Sequence, residues 1–115
     1  MQRQIAVLKE ESIFKIHTNL DVDSSVFVTK LLFEYVSQGK ITFELNSKKG
    51  SIVSEFVVNV LGGLFSAVLY DLVKKVYNHL KEQRKNGKDI KPVYVFLPDR
   101  QYVLTGKDDD NLPKE

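Results

Sequence analysis

The spacing of apolar residues changes several times along the chain, and each change marks an element. Ser12-Ile13-Phe14-Lys15-Ile16-His17-Thr18 alternates, with Phe14 and Ile16 on one face, and predicts a strand. A short strand over residues 4–8 can precede it. Asn19-Leu20-Asp21-Val22-Asp23-Ser24 carries turn and N-cap chemistry. From Ser25 onward Val28, Leu31, Leu32, Tyr35 and Val36 recur at helical spacing, and Gly39 stands where a left-handed residue closes a helix. The β-branched and aromatic content of that stretch leaves a strand as the alternative. Lys40 to Asn46 alternates again, Ile41, Phe43 and Leu45 against Lys40, Thr42 and Glu44, as a strand with one wet face does.

Ser47-Lys48-Lys49-Gly50 turns the chain, and Ser51 is an N-cap for a long helix predicted from Ile52 to Asn86, stopped by Gly87. At 1.5 Å per residue that helix is about 50 Å long. A domain of this size has a radius of gyration of about 13–14 Å, so the helix must project, kink or end early. Gly62-Gly63 is the place for a kink, because helix-interior glycines cost about 1 kcal/mol each relative to Ala. A hairpin closes the pattern: Val93, Val95 and Leu97 alternate with Tyr94 and Phe96, Pro98-Asp99 turns, and Tyr102-Val103-Leu104-Thr105 returns.

The resulting order is β-α-β-α-β-β. It predicts an α/β (α+β) two-layer sandwich, with a small mixed sheet of four strands and helices packed on one face. Residues 1–106 form one domain, and 107–115, with Asp108, Asp109 and Asp110, form a flexible acidic tail. Composition agrees with one folded domain: 115 residues, 43% apolar and 28% charged. The chain has no cysteine, which removes disulfides, thiolate metal sites and cysteine nucleophiles and suits the cytoplasm. The apolar run near the N-terminus is too short for a signal-peptide core, and acidic residues follow it.

Candidate chemistry is sparse. His17 and His79 are the only histidines and are far apart in sequence, one beside Lys15 and one among lysines, which is poor spacing for a zinc site. No Gly-x-Ser-x-Gly elbow or phosphate-loop spacing occurs, although Lys48-Lys49-Gly50-Ser51 leads into a helix start. Glu34, Glu44 and Glu55 are not paired by any pattern. No catalytic, metal-binding or cofactor-binding residue is therefore predicted, and no cofactor.

The long helix is the informative element. Val57, Val60, Leu61, Leu64, Val68, Leu72, Val76 and Leu80 make its core stripe, yet Phe56, Val58, Phe65 and Leu69 are apolar elsewhere on the same helix. A small sheet covers one side only, which leaves surplus apolar surface over residues 52–73. Gly62 and Ser66, beside Gly63 and Ala67, give small-residue spacing that admits a close neighbour. Phe56, Asn59, Gly62, Gly63, Phe65, Ser66 and Leu69 are thus the candidate interaction residues, toward a protein partner or a second copy. Contact within the domain is the alternative. Membrane association through the same helix is a further alternative, although Phe56 to Tyr70 spans only about 22 Å against a core of about 30 Å. Lys74, Lys81, Arg84, Lys85 and Lys88 form a candidate basic patch for nucleic acid, opposed by Asp71, Glu82 and Asp89.

The layout resembles the effector-associated constant component modules of bacterial conflict and defence systems. The matching stretches are Phe14–Thr18, Ser25–Gln38, Ile41–Leu45, Lys49-Gly50, Ile52–Arg84 and Pro92–Gly106, with Val93-Tyr94-Val95-Phe96-Leu97-Pro98-Asp99 as the nearest local match. Arg100 departs from the glycine such hairpins often carry. The resemblance implies a non-catalytic adaptor that links an effector to a sensor, and transfers no catalytic residue.

Overall fold

The computed structural model describes residues 12–19, 21–46, 55–108 and 110–113. The element order is β1 (Ile13–His17), α1 (Val22–Ser37), β2 (Ile41–Asn46), β3 (Glu55–Val60), α2 (Phe65–Lys85), β4 (Val93–Phe96) and β5 (Gln101–Leu104). The strand at 4–8, the Ser47–Gly50 turn and the Ser51 cap lie outside the described residues. The α+β class holds, with two helices packed on one face of one sheet.

The second half of the sequence folds differently from its helical reading. Residues 55–60 are a strand, so among the described residues the order is β-α-β-β-α-β-β, and the sheet has five strands rather than four. Phe56, Val58 and Val60 are buried while Glu55, Val57 and Asn59 are half-buried on the other face. This is an alternating pattern in a β-branched segment, masked in the sequence because Val57 is apolar too. Gly62 (φ +59°) and Gly63 (φ +76°) both take the left-handed conformation. They end the strand and start α2 as a turn, with no kinked helix.

Strand order is β2-β3-β1-β4-β5, and every neighbouring pair is antiparallel, so the sheet is not mixed. β1 and β2 do run in the same direction, as a crossover through α1 requires, but β3 is inserted between them. Likewise β3 and β4 are parallel with β1 between them. Two interleaved split β-α-β units of this kind define the ferredoxin-like pattern, here extended by β5.

The core fills the space between the helices and the inner sheet face. Phe14, Ile16, Phe56, Val58, Val93, Val95 and Leu104 from the strands join Val28, Leu32, Leu72, Val73, Val76 and Leu80 from the helices, all at most 1% exposed. Burial on this scale contributes about 1.5–3 kcal/mol for each large side chain. Asp21 caps α1 by accepting from the Asp23 amide at 3.1 Å. Gly39 (φ +72°) closes α1, with the Gly39 and Lys40 amides returning to the Val36 and Tyr35 carbonyls. Between the helices the Tyr35 hydroxyl donates to Asp71, which also pairs with Lys75 at 3.1 Å.

The stretch predicted as a solvated tail begins with structure. Asp110 accepts from the Thr105 amide (2.8 Å), the Thr105 hydroxyl (2.6 Å) and the Gly106 amide (2.9 Å), and Leu112 packs against the core.

Candidate functional site

Most of the apolar surface expected in surplus over residues 52–73 is buried across the described part, 55–73, although Leu61 and Leu64 stay exposed at the turn. Phe56 is fully buried in the sheet's inner face, and Leu69 is 4% exposed beneath α2. Asn59 is on the outer face, where its side-chain oxygen accepts from the Ser12 hydroxyl at 3.1 Å. Gly62 and Gly63 are exposed in the turn. The chain wraps this segment with its own strands and helices, so the long-helix partner surface is withdrawn. Three of the seven candidates, Gly63, Phe65 and Ser66, do converge. With Leu97, Asp99 and Arg100 they line a groove of about 750 Å³ beside the start of α2.

The basic candidates are dispersed by their partners. Arg84 donates from Nε to the Thr105 carbonyl, Lys81 pairs with Asp108 at 3.5 Å, and Lys88 reaches Asp23 on α1 at 3.6 Å. Lys74 lies over the Tyr70 ring, and Lys85 is exposed at the end of α2. Lys74, Lys81 and Lys85 share one exposed face of α2 within about 40° of helical arc, but Lys81 is paired with Asp108, and Arg84 and Lys88 are drawn to other partners. Among the described residues, no helix is long and apolar enough to cross a membrane.

Two other surfaces compete as sites. The outer sheet face carries Lys15 directly opposite Val57 and Phe96, with His17 opposite Glu55 and Tyr94. Tyr94 and Phe96 stack with centroids 6.0 Å apart. Aromatic rings on an open sheet are a stacking platform for single-stranded nucleic acid, but such platforms lie in positively charged grooves. Glu44 and Glu55 flank Lys15 here, so the face lacks the charge that phosphates require.

The second surface is the flank formed by α1 and the edge strand β2, which sequence reasoning missed. Val22, Val26, Thr29, Phe33 and Val36 follow each other at four- and three-residue steps and fall within about 80° of helical arc. That stripe is lateral to the core-facing positions Val28, Leu32 and Tyr35, on the side away from α2. Of nine large apolar side chains left exposed among the described residues, five are here: Val22 (52%), Val26 (47%), Phe33 (59%), Val36 (39%) and Leu45 (47%). Phe33 meets Phe43 of β2 edge to face at 5.3 Å, so the stripe runs onto the sheet edge. The signal lies in the heptad-like spacing, but helical periodicity alone places Val36 with the core stripe and Phe33 outside it.

Among the described residues the edge itself is bare. The Leu61 amide donates to the Lys40 carbonyl, and antiparallel hydrogen bonding alternates, so Thr42, Glu44 and Asn46 pair with β3. The amides and carbonyls of Ile41, Phe43 and Leu45 point outward. A row of free donors and acceptors beside an apolar helix flank is a template for strand addition.

Electrostatics concentrates between the helices instead. Burial alone would raise the Asp71 carboxyl, but the Tyr35 hydrogen bond and the Lys75 and Lys40 ammonium groups hold it below its ordinary value. Burial and the adjacent Asp71 push the Tyr35 phenol far above its usual range. His79 stacks on Phe27 at 4.0 Å, and burial lowers its pKa against the opposing pull of Asp23 and Asp21. These groups tie α1 to α2; Tyr35 and Asp71 line only a cleft of about 80 Å³, whereas His79 and Lys75 line an open, shallow groove of about 680 Å³ between the helices.

Compared with protein-family models, curated proteins and solved structures, the chain matches none.

Proposed function

We propose that this chain is a non-catalytic protein-interaction module that works through the α1–β2 flank. The observation that carries the reading is the coincidence of an uncharged apolar stripe on α1 with an unpaired strand edge at β2. Natural sheets blunt an exposed edge with proline, lysine or a covering element; β2 holds neither proline nor lysine, and no described residue covers its outer edge. Apolar patches of this kind mark binding surfaces on soluble folds. The resemblance to effector-associated constant components adds the finer reading of a cytoplasmic adaptor between an effector and a sensor.

A photo-crosslinking side chain placed at Phe33 in the source cells tests the module reading. Position 33 is expected to give a discrete adduct, identified by mass spectrometry, while the same group at Lys15 on the outer sheet face gives none. Absence of an adduct at 33, or equal labelling at both positions, overturns it.

A further inference from the structure

Resting on the interaction reading, we infer that the occupant of the α1–β2 flank is a second copy of this chain, joined edge to edge through β2 about a two-fold axis at Phe43. The outward backbone groups sit at Ile41, Phe43 and Leu45, symmetric about Phe43. An antiparallel mate centred there pairs Phe43 with Phe43 and Ile41 with Leu45, forming about six backbone hydrogen bonds. The two five-stranded sheets become one continuous sheet of ten.

Side chains select this register. It sets Glu44 opposite Thr42 of the mate, whose hydroxyl can donate to the carboxylate. An axis one residue later would face Glu44 with itself, a like-charge pair in direct cross-strand contact. An axis one residue earlier would leave Leu45 opposite Gly39, with no side chain to cover it. At Phe43 the exposed Leu45 lies instead opposite Ile41 of the mate, whose side chain is buried in its own core, and Phe33 and Phe43 meet their counterparts on the axis.

Charge and area agree. The stripe Val22, Val26, Thr29, Phe33 and Val36 holds no charged residue, so it can meet its own copy without repulsion; a surface built for a charged partner would carry the opposite sign. α1 has 16 residues and is about 24 Å long. With a helix layer and a sheet layer each about 10 Å thick, the flank is about 20 Å deep and offers roughly 480 Å² per protomer, so two flanks approach the roughly 1,000 Å² that a specific interface needs.

Sedimentation velocity of the purified full chain, from low micromolar to sub-millimolar, is expected to show a species of twice the chain mass. Phe33→Glu and Leu45→Glu, both at exposed positions, are expected to weaken association about a hundredfold with unchanged circular dichroism. Val103→Glu on β5 leaves association intact. Because the chain lacks cysteine, disulfide trapping reads the register directly. Thr42→Cys mixed with Glu44→Cys is expected to cross-link under mild oxidation, whereas either variant alone is not. A wild type that stays monomeric throughout, a dimer unaffected by both glutamates, or cross-linking of each cysteine variant with itself overturns the inference. A monomer whose position 33 captures a different protein in cells sinks the second copy and leaves the interaction module standing. A monomer with no adduct sinks both.

Discussion

The two edges of this sheet are finished differently. At the β5 edge the outward positions are Gln101, Val103 and Thr105, because Leu97 pairs with Arg100 and the pattern alternates from there. Thr105 is closed on both sides: Asp110 takes its amide and hydroxyl, and Arg84 takes its carbonyl. At the β2 edge three consecutive outward residues face no strand, beside an apolar helix flank. One edge has its last outward residue tied down by the chain's own tail and α2, with only Gln101 and Val103 left outward. The other keeps all three beside an apolar helix flank among the described residues. Substitutions at the first should therefore act on folding, and substitutions at the second on assembly.

The largest effect is expected at Gly106. Its φ is +78°, and a Cβ built there would lie 2.7 Å from the backbone of Leu80 and Lys81. Gly106→Val should destabilise the fold by about 3 kcal/mol, through left-handed strain plus displacement of α2, measured by urea denaturation. A loss below about 1 kcal/mol would show that α2 and the β5 end do not touch as described. Asp110→Ala removes three hydrogen bonds to a carboxylate and should cost about 2 kcal/mol, with faster amide exchange at Thr105 and Gly106.

Tyr35→Phe acts midway between the edges and should cost about 1 kcal/mol at neutral pH. Because the Asp71 carboxyl is held below its ordinary value of 3.8, its contribution is present above that pH and is lost as pH falls through the lower folded value. The difference between wild type and Tyr35→Phe should therefore shrink in acid. His79 adds a second window. Its folded pKa lies below 6.5, so the unfolded chain takes up the proton first and stability declines as pH drops from 6.5 toward the folded value. His79→Phe should flatten that part of a melting-temperature profile. The smallest effect on folding is expected from Phe33→Glu, within about 0.5 kcal/mol, since the ring is 59% exposed. The same change should weaken association about a hundredfold. That contrast with Gly106→Val is the sharpest form of the comparison.

Much of the fold was legible in the residues. β1, α1, β2 and the β4–β5 hairpin fall where alternation, helical spacing, Asp21 and Gly39 place them. The segment from Glu55 to Val60 was not legible as a strand. A strand with a half-buried apolar residue on its outer face reads like one side of a greasy helix, and Gly62-Gly63 suits either a kink or a turn. That misassignment moved the candidate site, because it assigned to a partner the surface that the chain covers itself. Asp110 was hidden for a related reason: a run of acids looks solvated until a particular carboxylate is found against free backbone amides.

The sequence alone determined the α+β class, the lack of cysteine and which residues of β1, α1 and the hairpin turn inward, because periodicity and turn chemistry are local properties. Only the tertiary structure decided which strand lies beside which, that β3 separates β1 from β2, and that β2 is left at an edge under Phe33. Those are matters of long-range pairing, and no local pattern in the chain records the distance between residues that meet only after folding.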